Sequence, residues 1–395
     1  MEVKTVGIVS SPELPYTIAN IIKKKFKHDL SNYIAEGKFE WQVEVELDLL
    51  TGATEKVAEV LEAAEHLKKR NGWDFAISLT DLPIYNGKSI VLADANITAC
   101  TAQISLPAFG WRPTPNRVEI IMLHMIKELY FRQTEEYENN DLEQKGIGPR
   151  DPKKQKSFFK KLEEPFRFSA VRRIESSNKS GETTVRFIIV PKLNGLARIL
   201  LGMTIANRPW TILPSFKNVV AIAFATGAYG LIFPTLWKLS ISYEIYRFIG
   251  LTATAVLGMV IWIIFAHDLW EKKSNENKNQ LRWMYNSTTV LTLGTSVVIY
   301  YIVLFLLFLI AVSVFVPPDL YQAEADKAVG PLNYLKLAWL VTSVATFAGA
   351  IGAGLENPEG VRRSTYSYRQ YSRYEEIKEK EKSGSMKNKG KDDPQ

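Results

Sequence analysis

Cysteine is almost absent from this sequence: Cys100 stands alone among 395 residues. One thiol excludes an intramolecular disulfide and a cysteine-based zinc cluster, and it fits a reducing compartment. Histidine is nearly as scarce, with only His28, His66, His124 and His267. His124 and Glu128 are spaced one helical turn apart, but no second histidine completes a zinc-protease motif. No metal is expected. The glycine motifs that cradle phosphates are missing too. Gly7-Ile8-Val9-Ser10-Ser11-Pro12 is not a dinucleotide fingerprint. Gly87-Lys88-Ser89 ends like a phosphate loop, but Leu82 occupies the position of its first glycine. No cofactor is expected, and catalytic residues stay unknown. Met1-Glu2-Val3-Lys4 does not open a basic region followed by an apolar one, so no signal peptide is read there and the N-terminal domain is expected to remain in the cytoplasm.

The most informative absence is that of charge. Val219–Trp237, Phe248–Ala266, Val290–Val316 and Leu337–Leu355 contain no Asp, Glu, Lys, Arg or His. A bilayer crossing needs about 20 apolar residues as helix. Soluble core helices rarely run so long without a polar face, so four transmembrane helices are expected. The third stretch, roughly 40 Å long as a helix, exceeds a hydrocarbon core of roughly 30 Å and must tilt or project.

Loop charge sets the orientation. The second connection holds Lys272, Lys273, Lys278 and Arg282, whereas the third holds Asp319, Glu324 and Asp326 against Lys327. Residues 361–395 carry ten basic and six acidic groups. A multi-pass protein of the cell membrane with both termini in the cytoplasm is expected. Trp210, Trp237, Trp270, Trp283 and Trp339 fall near the ends of the spans, where indoles favour the interface.

Residues 1–131 alternate strand and helix patterns, so the expected fold class is an α/β N-terminal soluble domain followed by an all-α four-helix transmembrane domain. Val3–Ser10, Trp41–Leu50 and Phe75–Leu79 read as strands, as do 89–94 and 102–106. Pro15–Ser31, Thr54–Arg70 and Asn116–Tyr130 carry apolar residues at helical spacing. Residues 132–165 read as a polar connector. Phe166–Glu175 and Thr183–Val190 flank a turn and predict a β-hairpin. Leu193–Ala206 is apolar with one arginine and shorter than a span, so an amphipathic elbow on the inner leaflet is expected within 166–216. The spans occupy 217–356, and 357–395 form a basic cytoplasmic tail, disordered at its end.

Charge separates along the first half. Residues 1–141 carry 15 basic and 21 acidic groups, while 142–217 carry 16 basic and 6 acidic. A basic collar beside the first span is expected to attract anionic inner-leaflet lipids, at about 1 kcal/mol per Lys or Arg near the surface. Arg198, Arg208, Trp210 and Lys217 are the interface candidates. Nucleic acid is the rival partner, but no nucleic-acid motif accompanies the charge.

Two candidate sites remain. Asp81 follows a buried strand, and Asp94 and Asn96 follow another; ligands of α/β sheets bind outside the carboxyl ends of strands. Asp81, Asp94 and Asn96 are therefore the ligand-binding candidates. The competing account has Asp81 and Asn86 capping turns around Pro83 and Gly87. In the fourth span Ala345, Gly349 and Ala353 repeat every four residues and permit close helix contact, within one chain or in a homo-oligomer.

Trp73–Ile84 (WDFAISLTDLPI), Ile104–Gly110 (ISLPAFG), Ala206–Trp210 (ANRPW), Ala266–Trp270 (AHDLW) and Glu356–Gln370 (ENPEGVRRSTYSYRQ) together resemble an uncharacterised family of bacterial four-helix integral membrane proteins with an N-terminal cytoplasmic α/β domain. The resemblance covers nearly the whole chain and brings no established activity. The strand order with TDLPI is also similar to zinc-peptidase domains of the archaemetzincin type, without their zinc ligands. The expected function is a membrane-anchored binding or sensing module. The alternatives are a membrane-tethered enzyme acting on a cytoplasmic substrate through Asp81 and Asp94, and a transporter.

Overall fold

A computed structural model describes residues 2–34, 39–54, 57–86, 89–133, 170–177, 183–190, 192–271, 279–325, 328–353, 362 and 365–389. The chain divides into two compact units, Met1–Ala206 with Gln370–Gln395, and Asn207–Arg369. The expected connector and the hairpin turn lie outside the described residues, except for the connector's first two positions.

The first unit is built on a mixed sheet. Its strands are β1 (Glu2–Ser10), β2 (Phe39–Leu47), β3 (Phe75–Thr80), β4 (Ile84–Asn86), β5 (Ser89–Asn96), β6 (Thr101–Ser105), β7 (Ala170–Ser177) and β8 (Thr183–Val190). The order is β2-β1-β3-β6-β5-β8-β7, with β4 on β5. β2, β1, β3 and β6 run parallel, and β5, β8 and β7 continue antiparallel. Every residue of β3 and β6 is buried, as expected of parallel strands covered on both faces. β2 alternates instead, with Trp41 its one fully buried residue.

Helices α1 (Leu14–Tyr33) and α2 (Val57–Asn71) make the β1-to-β2 and β2-to-β3 crossovers. On α1 the buried stripe is Ile18, Ala19, Ile22, Phe26 and Leu30, at the spacing of one helical face. Helix α3 (Pro115–Gln133) packs against α1, while α2 packs on β3 and β6. Helix α4 (Lys192–Ala206) packs on the short 3-10 turn Leu106–Phe109 and on β5 and β8. Gly202 allows that approach, because an added Cβ would collide with the Pro107 carbonyl. The elbow expected on lipid is thus an element of the first unit, and Arg198 is fully buried in it. An apolar helix face fits a sheet as well as a leaflet, which is why its sequence does not separate the two.

Among the described residues, the second unit contains four helices long and apolar enough to cross a membrane: Pro209–Gly230, Ile245–Ala266, Leu281–Phe315 and Pro331–Ile351. The first begins in a 3-10 segment, Pro209–Phe216, and continues as α5 (Lys217–Gly230). It stops at Gly230, short of the expected Trp237. Phe233 is extended and Pro234 opens the next helix, α6 (Pro234–Ser242). The residue before a proline is disfavoured in the helical region, so the break follows from the sequence. Trp237 Nε1 donates to the Leu231 carbonyl exposed by the break (3.0 Å). Then come α7 (Ile245–Ala266), α8 (Asn279–Phe315), α9 (Pro318–Ala325) and α10 (Pro331–Ala353).

Helix α10 packs against α5, α7 and α8. Its small residues make this possible. Ala345 is buried, and a Cβ on Gly349 would press on Tyr300 of α8 and on Ala223 and Val219 of α5. A polar knot ties three helices together. Tyr301 and Ser343 share a hydrogen bond of 2.7 Å, Thr252 lies 3.1 Å from Tyr301, and Trp339 Nε1 donates to Thr252 (2.7 Å). A final helix, α11 (Tyr366–Lys389), runs through the region expected to be a basic tail. From Gln370 onward α11 belongs to the first unit.

Candidate functional site

The crossovers define the site. From β1 the chain moves to β2 on one side, and from β2 to β3 on the other. The strand order reverses between β1 and β3, and ligands of open α/β sheets bind outside the carboxyl ends of strands at such a point. Asp81 is the first residue after β3 and is 1 % exposed. Ser11 is the first residue after β1. Its Oγ donates to Asp81 Oδ1 (3.1 Å) and accepts from the Asp81 amide (3.3 Å).

The walls of this crevice are tied down by backbone and hydroxyl bonds. The Ser11 amide donates to Leu79 O (3.0 Å), and the Asp48 amide to Ser10 O (2.9 Å). Thr80 Oγ1 donates to Thr51 O (2.7 Å), and Ser105 Oγ to Leu82 O (2.8 Å). Asp48 in turn accepts from the Thr51 amide and hydroxyl at 2.8 and 2.7 Å. Glu13, in the loop leaving β1, holds a positive φ of 68° without being glycine. Such strain persists only where the surrounding structure enforces it.

Arg373 of α11 fills the crevice. Its Nη1 donates to Asp81 Oδ1 (2.9 Å) and to Gly52 O (2.8 Å), and its Nη2 donates to Asp81 Oδ2 (3.0 Å). The pair is bidentate, charge-assisted and buried on both sides. Gly52 belongs to a 3-10 turn at the crevice. A Cβ there would stand 2.8 Å from Ser11 Cβ and 2.9 Å from Arg373 Cζ, with Nη1 closer still. Glycine is what lets the guanidinium reach the carbonyl.

Asp94 lies elsewhere. It was expected just beyond a strand, but β5 runs on to Asn96 and places it inside the sheet. In register it faces Gln103 on β6 and Arg186 on β8, and Gln103 faces Ser78 on β3. Arg186 donates to Asp94 Oδ2 through Nε (2.8 Å) and Nη2 (2.6 Å). Burial raises the Asp94 pKa above the ordinary carboxylate value, and the Arg186 bonds oppose that rise.

Asn96 caps the turn after β5 by accepting from the Ala99 amide (3.2 Å). Because β5 is antiparallel to β6, Asn96 sits at the amino ends of the parallel strands, opposite the Asp81 crevice. The structure therefore does not bring Asp81, Asp94 and Asn96 into one pocket. Each aspartate has its own arginine.

Neither arginine was anticipated. Arg186 was discoverable in principle, since it occupies one face of an alternating strand. Arg373 carries no local signal, being 292 positions from Asp81 on a helix without an apolar stripe.

Of the interface candidates, Arg198 is fully buried, Trp210 is half exposed and Lys217 is exposed. Arg208 is partly exposed, with a left-handed backbone at φ 51°. The basic collar is smaller than its formal charge, because Arg173 and Arg186 are committed to Glu128 and Asp94.

Elsewhere in the first unit, burial and then the charge of Lys127 push His124 down to about 3. The ring's Nε2 shares a hydrogen bond of 3.0 Å with Tyr33 Oη.

No protein family, no curated protein and no solved structure matches this chain, so its site stands on geometry alone.

Proposed function

We propose that this chain is a membrane-anchored binding or sensing module. Four helices anchor it in the cell membrane with both ends in the cytoplasm, and the α/β unit receives a ligand or partner at the crevice outside β1 and β3. One observation carries this reading: a buried carboxylate at the strand-order reversal, satisfied by a side chain inserted from a distant part of the chain. Asp81 is engaged by a guanidinium and a serine hydroxyl, the situation of a recognition group rather than of a free acid or base. The exposed part of the basic collar supports contact with anionic lipid headgroups.

Two measurements test it. Reporter fusions after residue 280 and at the C-terminus should report cytoplasm, and fusions near Ser242 and Tyr321 the outside. A C-terminal reporter active outside would sink the topology. A metabolite and peptide panel screened by thermal shift on the detergent-solubilised full chain should yield a stabilising ligand whose effect is lost in Asp81→Asn. A shift that survives this substitution places the binding site elsewhere.

A further inference from the structure

We propose that the crevice is a guanidinium-recognition site, that Arg373 is its resident ligand, and that an arginine-bearing partner segment binds by displacing the C-terminal helix. This deepens the reading above and rests on it. The chemistry is that of a planar fork. Three hydrogen bonds from two terminal nitrogens reach both Asp81 oxygens and the Gly52 carbonyl. An ammonium group is a point charge on a flexible stem and does not present donors in that fixed fork. The carboxylate is held in place by Ser11, and Gly52 leaves the space that the guanidinium occupies.

Beyond Gln370, the helix that delivers Arg373 is suited to release. Among residues 371–379, Arg373 is the one buried position, while Tyr371 and Tyr374 are more than half exposed. Apolar burial therefore contributes little over this stretch, and Arg373 is its buried anchor. A competing guanidinium of equal chemistry would take the same bonds without carrying the helix. The α/β unit would then exist in two states, tail-docked and tail-released, and a ligand shifts such a pair only through its differential affinity for them.

Chemical rescue tests this on the full chain in detergent. Arg373→Ala removes the resident guanidinium, and its melting temperature should fall. Methylguanidinium at non-denaturing concentration should restore it and methylammonium should not, while wild type, whose site already holds a guanidinium, should gain no stability from either. Asp81→Asn combined with Arg373→Ala should abolish rescue. If Arg373→Ala does not fold, Gly52→Ala crowds the same guanidinium while keeping every charge. It should expose the helix beyond Arg373 to trypsin at Lys378.

Equal rescue by both cations reduces the site to simple charge compensation and overturns the proposal, as does absence of any rescue. Rescue of Arg373→Ala, with no panel ligand acting on wild type, would keep the guanidinium site and remove the external-ligand reading. A panel ligand acting through Asp81, without rescue, would do the reverse.

Discussion

The docking of α4 on the first unit makes a prediction in which two opposed effects can be weighed. Alanine in place of a helical glycine normally stabilises by about 1 kcal/mol. At Gly202 the new Cβ would find the Pro107 carbonyl carbon at 2.7 Å and its Cα at 2.8 Å, with the oxygen nearer still. These are main-chain atoms. To regain ordinary contact the carbonyl carbon must withdraw by roughly 0.7 Å and the oxygen by more than about 1 Å, in an interior that is close-packed. Overpacking of this kind costs about 1–3 kcal/mol, so the collision outweighs the helix gain and Gly202→Ala should be net destabilising. At Gly195 the nearest atoms are Ile90 Cδ1 at 3.1 Å and Ile189 Cγ2 at 3.4 Å. Both are tips of side chains, able to yield by a few tenths of an ångström, so the helix gain should prevail and Gly195→Ala should be neutral or stabilising. Thermal unfolding in detergent reads the difference at about 2–4 °C per kcal/mol for a unit of this size. If Gly202→Ala proved as benign as Gly195→Ala, the helix would not bear on Pro107.

Two further outcomes follow from the geometry. His124, held down at about 3, stays neutral in the fold while the unfolded ring protonates below about 6.5. The stability it contributes is present above that value and is lost as pH falls towards 3, at most about 1.4 kcal/mol by pH 5.5. His124→Gln should flatten that acid limb in a pH series of melting temperatures, and an unchanged limb would show that the ring is not kept neutral. In the second unit, Gly349→Val should separate α10 from Tyr300, Ala223 and Val219 and lower the melting temperature, whereas Gly294→Ala, with nothing within 4 Å of the added Cβ, should not. Equal tolerance at both positions would remove the close α5–α10 contact.

Some of this architecture was legible because it depends on local periodicity. The buried stripe of α1 and the alternation of β2 are written in consecutive residues, and so is the absence of charge over 248–266. The direction of a strand is not. Asp94 was expected beyond a strand end because 89–94 ends there by pattern, yet β5 pairs with β6 as far as Asn96 and turns the polar residues into the sheet. Helix α4 shows a second limit: an apolar face does not say whether lipid or protein covers it. Arg373 shows a third. Its helix is polar over most of its surface, and only the fold reveals that one of its arginines completes a buried pair with a carboxylate placed by the parallel strands.

The composition of the long apolar helices limits what stimulus they can feel. From Val219 to Gly230, Phe248 to Ala266, Val290 to Phe315 and Leu337 to Ala353 no side chain carries a charge at neutral pH; hydroxyls such as Thr252, Tyr301 and Ser343 supply the polar contacts instead. A transmembrane voltage does work only on charge that moves through it, about 2.3 kcal/mol per elementary charge for each 100 mV. Helices that tilt or slide without carrying charge across the hydrocarbon leave this energy almost unchanged. Embedded as proposed, these spans would be electrically silent.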